Sequence, residues 1–397
     1  MAIVDTGASP RYIITSERSP GRPRFWATAW VVMTAGKGWA ANTLITRLRH
    51  IDNFYRHCDT KFGIDSLDSA LGESNAARVH RMADDFYVGL TSNTKYTTTD
   101  VQSWDAVRGF VLYFARYWAI KDDSWRAVIG ALKGTGRIRP PKRGCIKFAR
   151  SLPDRTLTDL LAIAQPASIR NPIKSRAIQI RNWLILLLML LCGLRRSEVL
   201  LLTVDSLKHD IEPKTGELQY WLDVTTTEDN TINDSRATRP SMKTANAHRQ
   251  VPISYELASL VENYVADFRG DVAQHNFLLT SSTSKPLSAE SVNKMLVDFS
   301  ERLEPQALQR FRERTGGKQH ISPHDLRHTC ATVRYALFIA TDSNRELAFQ
   351  RMRAFFGWAI ESDEPALYAR AAIHDDLLKS WNDLFDKKVE LLRQGIE

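Results

Sequence analysis

Pro323-His324-Asp325-Leu326-Arg327-His328-Thr329, then an apolar stretch, then Phe356-Gly357-Trp358 and, ten positions on, Tyr368 are the residues that decide the fold of this chain. On a helix, residues three apart share a face. The spacing therefore predicts that His324 and Arg327 converge on one oxyanion while Leu326 turns to the core. A tyrosine arriving later is then a candidate nucleophile. No Gly-rich nucleotide cradle accompanies these residues.

Upstream, Leu157, Leu160, Leu161 and Ile163 open an apolar period, and Ile178 to Cys192 is apolar on most faces, which predicts a central helix. Gly193 can close it. Leu194-Arg195-Arg196-Ser197-Glu198 then starts a new helix with two arginines near its N-terminus. Gln219 to Val224, after a Pro213-Lys214-Thr215-Gly216 turn, reads as a strand, and Arg249 to Ile253 reads as another. Between them Thr225 to Ser241 is polar and reads as a loop, with Lys243 where the chain returns to the sheet. Beyond Tyr368, Leu377, Leu378, Trp381, Leu384, Phe385, Val389 and Leu392 form the stripe of a C-terminal helix. That stripe can pack on its own domain or on a neighbouring protomer.

The N-terminal half differs in kind. Residues 1–25 carry Arg11, Arg18, Arg22 and Arg24 among Ser, Pro and Gly, the composition of a flexible basic arm. Gly21-Arg22-Pro23-Arg24 has the make-up of a minor-groove hook, which ordinary basic tails also share. Over 26–132 the pattern is helical, with Leu44, Leu48, Ile51 and Tyr55 on one face and Val101, Trp104, Val107, Val111, Phe114 and Trp118 on another. Arg47, Arg49, Arg56, Lys61, Arg78 and Arg81 either line a groove that meets phosphates or form a solvated helix face. Residues 133–151 are strongly basic and stiffened by Pro140-Pro141, which reads as a linker whose Arg137, Arg139, Lys142 and Arg143 contact a nucleic-acid backbone. Residues 152–397 then form a second domain ending in the C-terminal helix.

Composition agrees with a polyanionic partner. The chain is 43% hydrophobic and 25% charged, as soluble globular proteins are, and its formal charge of +9 and pI near 9.4 favour nucleic acid. Cys58, Cys145, Cys192 and Cys330 are far apart without a C-x-x-C pair, so neither a zinc site nor a disulfide framework is indicated. The first residues lack a signal-peptide pattern, and the apolar run Trp183 to Cys192 is too short for a bilayer. The expected compartment is the cytoplasm, in association with the nucleoid.

Taken together, Arg195, Lys243, His324, Arg327, Trp358 and Tyr368 resemble the active-site set of the tyrosine recombinases, or phage integrase family. The motifs stand in the family's order and cover roughly Leu152 to the C-terminus. The resemblance implies a mainly α fold with a small antiparallel β-sheet, arranged as a two-domain, C-shaped DNA clamp. Its parts would be a helical core-binding domain and a tyrosine recombinase catalytic domain. It also implies site-specific cleavage and rejoining of duplex DNA through a covalent 3′-phosphotyrosyl intermediate. No metal or other cofactor is required. The partners implied are DNA target sites, a homo-oligomer that is a tetramer on synapsed DNA, and accessory DNA-binding factors; none is a membrane.

Within that frame Tyr368 is the nucleophile, Arg195 and Arg327 neutralise the phosphoryl oxygens, and His324 accepts or positions a proton. Lys243 is the acid for the leaving 5′-hydroxyl, with Lys214 in the preceding turn as its competitor. Trp358 stands where many members carry histidine; an indole donates but cannot titrate. Glu198 and His328 support these groups from behind. Two other readings remain: a catalytically silent DNA-binding regulator on the same fold, and a type IB topoisomerase-like or hairpin-forming strand transferase. A metal-dependent nuclease is disfavoured, because no acidic trio stands among the motifs.

Overall fold

The computed structural model describes residues 3–5, 12–16, 22–34, 38–39, 41–92, 97–135, 151–225, 234–236, 239–242, 247–270, 272, 274–342 and 344–369. The chain forms two compact units, residues 1–145 and 146–397.

In the first unit α1 (Phe25–Thr34), α2 (Ala41–Phe62), α3 (Ser66–Gly72), α4 (Ala76–Thr91), α5 (Thr98–Trp118) and α6 (Ser124–Gly134) follow in order. Local chemistry starts them. The Asn75 side chain accepts the Arg78 N–H at 3.0 Å to open α4, and Thr97 forms a capping box with Asp100 to open α5. The apolar positions at helical spacing bury together. Leu48, Ile51 and Tyr55 of α2 share a core with Trp104, Val107, Val111 and Phe114 of α5 and with Trp30 and Trp125.

Residues 1–25, expected as a flexible arm, contribute to this unit. β1 (Ile3–Asp5) pairs antiparallel with β2 (Tyr12–Ile14), Ile3 opposite Ile14, and the Ile14 side chain lies in the helical core. Three-residue strands carry too little alternation to be read from sequence, and the arginines around them dominate the composition.

In the second unit α7 (Asp154–Ala164), α8 (Arg176–Leu191) and α9 (Arg196–Leu201) lead into a three-stranded antiparallel sheet. Its strands β3 (Leu207–Ile211), β4 (Leu218–Val224) and β5 (Arg249–Ile253) pair in that order, with Leu222 opposite both Leu207 and Val251. Then come α10 (Tyr255–Asn263), a π-helical turn (Tyr264–Phe268), α11 (Ala289–Ser300), α12 (Pro305–Thr315), α13 (Pro323–Asp342), α14 (Arg345–Phe356) and a short helix at 364–369. As its composition demands, α8 is central: Leu184, Ile185, Leu186, Leu188 and Met189 are all buried. The sequence reading finds two strands where the structure has three. β3 was missed because all of its residues after Leu207 are exposed, which leaves no alternation to see.

Of the stretch Thr225 to Ser241, expected as a loop, the described residues 225, 234–236 and 239–241 are in neither helix nor strand, and Arg236 pins the chain to the body. The buried Arg236 guanidinium grips Asp234 through Nε and Nη2 at 2.7 Å each, donates from Nη1 to the carbonyls of Leu200 (3.0 Å) and Leu287 (3.3 Å), and lies 4.3 Å over the Phe277 ring. Burial works against ionisation of Asp234, but the hydrogen bonds from Arg236 prevail and hold its carboxyl below the usual range. Among the described residues no helix is long and apolar enough to cross a membrane.

Candidate active site

Gly193 is the pivot of the site. It follows α8 at φ +60°, a conformation that L side chains rarely adopt. Its carbonyl accepts a hydrogen bond from Arg327 Nη1, and a methyl at its α-carbon would run into the Phe356 ring and lie 3.1 Å from Cys330 Sγ. The chain reverses there and delivers Arg195 to the N-cap of α9.

Glu198, one turn into α9 and 1% exposed, gathers the cations. Its Oε1 accepts from Arg195 Nη1 at 2.6 Å; its Oε2 accepts from the Arg195 backbone N–H at 2.9 Å and from Arg249 Nη2 at 2.9 Å, with Arg327 Nη1 at 3.7 Å. Burial opposes the carboxylate, but Arg249, then Arg327 and Arg195, outweigh it, so Glu198 titrates below the ordinary glutamate range and stays ionised. Arg249 opens β5 and was read from sequence only as a strand residue.

Arg327 reaches this group from α13. That helix is fixed at its start by the buried Asp325, whose carboxylate accepts from Ser322 N (2.9 Å), Ser322 Oγ (2.6 Å) and Lys318 Nζ (2.6 Å). Besides Gly193, Arg327 donates from Nη2 to the Phe356 carbonyl at 2.9 Å, and its guanidinium stands over the rings of Phe356 (4.9 Å) and Trp358 (5.7 Å). Burial and then the Arg195 charge lower its pKa to about 10, with Glu198 pulling the other way. It remains a cation at neutral pH.

An aromatic column continues from there. α14 ends at Gly357, φ +62°, with the Trp358 N–H bonded to the Arg353 carbonyl at 2.9 Å. Trp358 lies stacked between Phe356 (centroids 4.7 Å apart, 16° between planes) and Tyr368 (5.3 Å, 6°). Tyr368, on the helix at 364–369, is 3% exposed. The His328 ring centroid is 5.2 Å from that of Tyr368, and the exposed His324 is 4.2 Å from His328. On α13 Arg327 is buried and His324 exposed; the His324 ring meets that of His328 one turn on, while Arg327 contacts carbonyls and Glu198.

Arg195, Glu198, His324, Arg327, His328, Trp358 and Tyr368 thus form one chain of contacts, to which the structure adds Arg249. Lys243 lies outside the described residues, as do Arg137, Arg139, Lys142 and Arg143 and the C-terminal stripe from Leu377 to Leu392. The chain on either side of Lys243 is anchored, with Met242 packed against the core and Ala247 fully buried.

The expected DNA contacts of the first unit fare unevenly. Arg22 is exposed. Arg24 is not a phosphate contact: it is 4% exposed and ion-paired with Asp59, Asp65 and Asp68, its guanidinium 4.8 Å over the Tyr55 ring. Those carboxylates come from α2 (Asp59), the turn after it (Asp65) and α3 (Asp68), and nothing in Gly21-Arg22-Pro23-Arg24 announces them. Arg47 is half-buried, 4.5 Å over the Trp39 ring. Arg56 bonds Asp52 at 2.9 Å and Lys61 lies 3.3 Å from Asp85, whereas Arg49 is exposed on the same α2 stripe as Asn42, Thr46 and Asn53.

Residues 160–335 match the phage integrase family, a span that includes Arg195, Glu198, Arg249, His324, Arg327 and His328. No curated protein matches the chain. Among solved structures it is similar to XerA recombinase, at 14% identity and TM-score 0.37, over 89% of this chain and 97% of that one. It is also similar to XerH site-specific recombinase bound to difH substrate before cleavage (13% identity, TM-score 0.46, 86% and 77% covered) and to XerH bound to palindromic difH after cleavage (11%, 0.43, 85% and 94%).

Proposed function

We propose, from the match of residues 160–335 to the phage integrase family, that the chain is a site-specific DNA recombinase that cleaves and rejoins duplex DNA through Tyr368. The observation that carries this reading is the meeting of three guanidiniums, Arg195, Arg249 and Arg327, on Glu198 beside a tyrosine stacked on Trp358.

The chemistry follows from those groups. Tyr368 Oη attacks the scissile phosphorus, a bond forms to the 3′-phosphate, and the bond to the 5′-oxygen breaks. Extra negative charge on the non-bridging oxygens of the transition state is met by Arg195 and Arg327. A phenol of pKa near 10 is only about 0.1% ionised at pH 7, a penalty of roughly 4 kcal/mol that neighbouring cations offset. The phenolic proton passes to His324, and the leaving 5′-oxygen takes one from Lys243. Attack by a partner strand's 5′-hydroxyl reverses the steps, so the bond energy is kept and no ATP is used. Four protomers on two synapsed sites would exchange strands, with the N-terminal unit and the residues of 133–151 supplying the other contacts to the duplex. The exposed Asn42, Thr46, Arg49 and Asn53 stripe of α2 suits a groove face.

The acid is the part with a rival, and a modified substrate separates the two lysines. On DNA whose leaving group is a 5′-thiolate, which needs no proton, cleavage by Lys243→Ala is expected to recover to within about tenfold of the unaltered chain, from a loss of about 100-fold or more on ordinary DNA. Recovery by Lys214→Ala in its place would move the acid to the turn between β3 and β4. Capture of DNA on Tyr368 also separates the reading from a silent DNA-binding regulator, which would bind without capturing.

A further inference from the structure

Arg249 differs from Arg195, the more exposed of the three arginines that meet at Glu198, in how its donors are used. Its side chain is 5% exposed, and every nitrogen of its guanidinium is engaged. Nε donates to the Phe355 carbonyl at 2.8 Å, Nη1 to the Ala247 carbonyl at 2.8 Å and Nη2 to Glu198 Oε2 at 2.9 Å. It has no edge left for a phosphate. Arg195, with a quarter of its side chain exposed, commits only Nη1 to Glu198 and keeps its remaining edge.

The carboxylate must be answered by some cation, because an ionised group this deeply buried is costly unless paired. Without Arg249, Glu198 Oε2 would draw on Arg327, already 3.7 Å away, or take a second bond from the Arg195 guanidinium. Either choice spends a phosphate ligand on the protein's own anion. It would also leave one net positive charge where the four groups now hold two.

We propose that Arg249 is a positioning residue of the phosphoryl-transfer site, the resident counter-ion of Glu198, which leaves Arg195 with donors, and Arg195 and Arg327 with net positive charge, for the scissile phosphate. The inference rests on the recombinase reading above. By tying the first residue of β5 to the end of α14, Arg249 also sets the floor on which Phe356 and Trp358 stack.

The test is single-turnover covalent capture by the full chain, using nicked duplexes tiled across the DNA that flanks its gene. Arg249→Gln leaves Glu198 to draw on Arg195 and Arg327 alone and is expected to slow capture by about 100-fold, the scale of losing one oriented donor to a transition-state charge. Adding Glu198→Gln to that variant removes the competing charge and is expected to restore at least about tenfold of the rate. A merely structural bracket gives no such suppression: the double variant would then be slower than either single one, and the proposal falls. If Arg249→Gln does not fold, Arg249→Lys carries the test, since it keeps the charge; a folded lysine variant as inactive as Tyr368→Phe overturns the proposal. Absence of Tyr368-dependent capture by the unaltered chain overturns the recombinase reading and this inference with it, whereas normal capture with no suppression overturns this inference alone.

Discussion

Tyr368→Phe is expected to abolish covalent capture of nicked DNA altogether while leaving the fold and DNA affinity nearly unchanged. The substitution deletes one oxygen and keeps the ring, so the parallel stack on Trp358 and the contact with His328 persist. Stability should therefore shift by no more than about 1 kcal/mol, the usual worth of one hydroxyl hydrogen bond. Catalysis has no substitute for that oxygen. Tyr335, the tyrosine nearest in sequence, is on α13 with its ring against Phe349, 6% exposed. The measurement is a denaturant-resistant protein–DNA adduct, compared with a filter-binding isotherm on the same duplex. An adduct that persists in the phenylalanine variant assigns the nucleophile elsewhere.

Gly193→Ala is expected to damage stability and chemistry together, at roughly 3 kcal/mol or more and a capture rate down by at least about 100-fold. Two costs add. An alanine at φ +60° carries about 1–2 kcal/mol of backbone strain, and overpacking a filled core adds about 1–3 kcal/mol. The second arises because the new methyl meets the Phe356 ring and Cys330 Sγ. Whatever yields, Arg327 loses its setting, since it bonds the carbonyls of both Gly193 and Phe356. Gly216→Ala is the control: its φ is +70°, but nothing lies within 4 Å of the added carbon, so only the strain cost should appear. Thermal melts of the two variants, run beside capture assays, check both halves. Equal melting losses would show that the Phe356 contact is unimportant.

Much of this architecture could be read before any coordinates. Ile178 to Cys192 reads as an interior helix, and Leu184, Ile185, Leu186, Leu188 and Met189 are buried, with Leu191 at its end exposed. Arg249 to Ile253 is a strand with the bounds its residues suggested. What escaped shares one property: it depends on partners distant in sequence. The Leu207–Ile211 strand hides its alternation at an exposed edge, and Arg24 looks like a free basic residue until Asp59, Asp65 and Asp68 are brought to it. Arg249 is the instructive case for the site. Its position at the head of an apolar strand gives no hint that its side chain turns in toward Glu198, and only its long reach into a buried region, where a cation needs an anion, offered a signal. His324 and Arg327, three apart on α13, differ in burial, the histidine exposed and the arginine buried, which their spacing alone does not reveal.

The column Phe356, Trp358, Tyr368 has an optical consequence. An indole held flat against a phenol, with centroids 5.3 Å apart, reports on that phenol through its emission. A stack of this kind is worth about 0.5–1.5 kcal/mol beyond the burial of the ring, so moving the tyrosine out costs that contact together with the exposure of a side chain now 3% exposed. With a Trp358→Phe chain to subtract the other tryptophans, fluorescence would time any movement of Tyr368 off Trp358 separately from the phosphotyrosyl bond proposed for it.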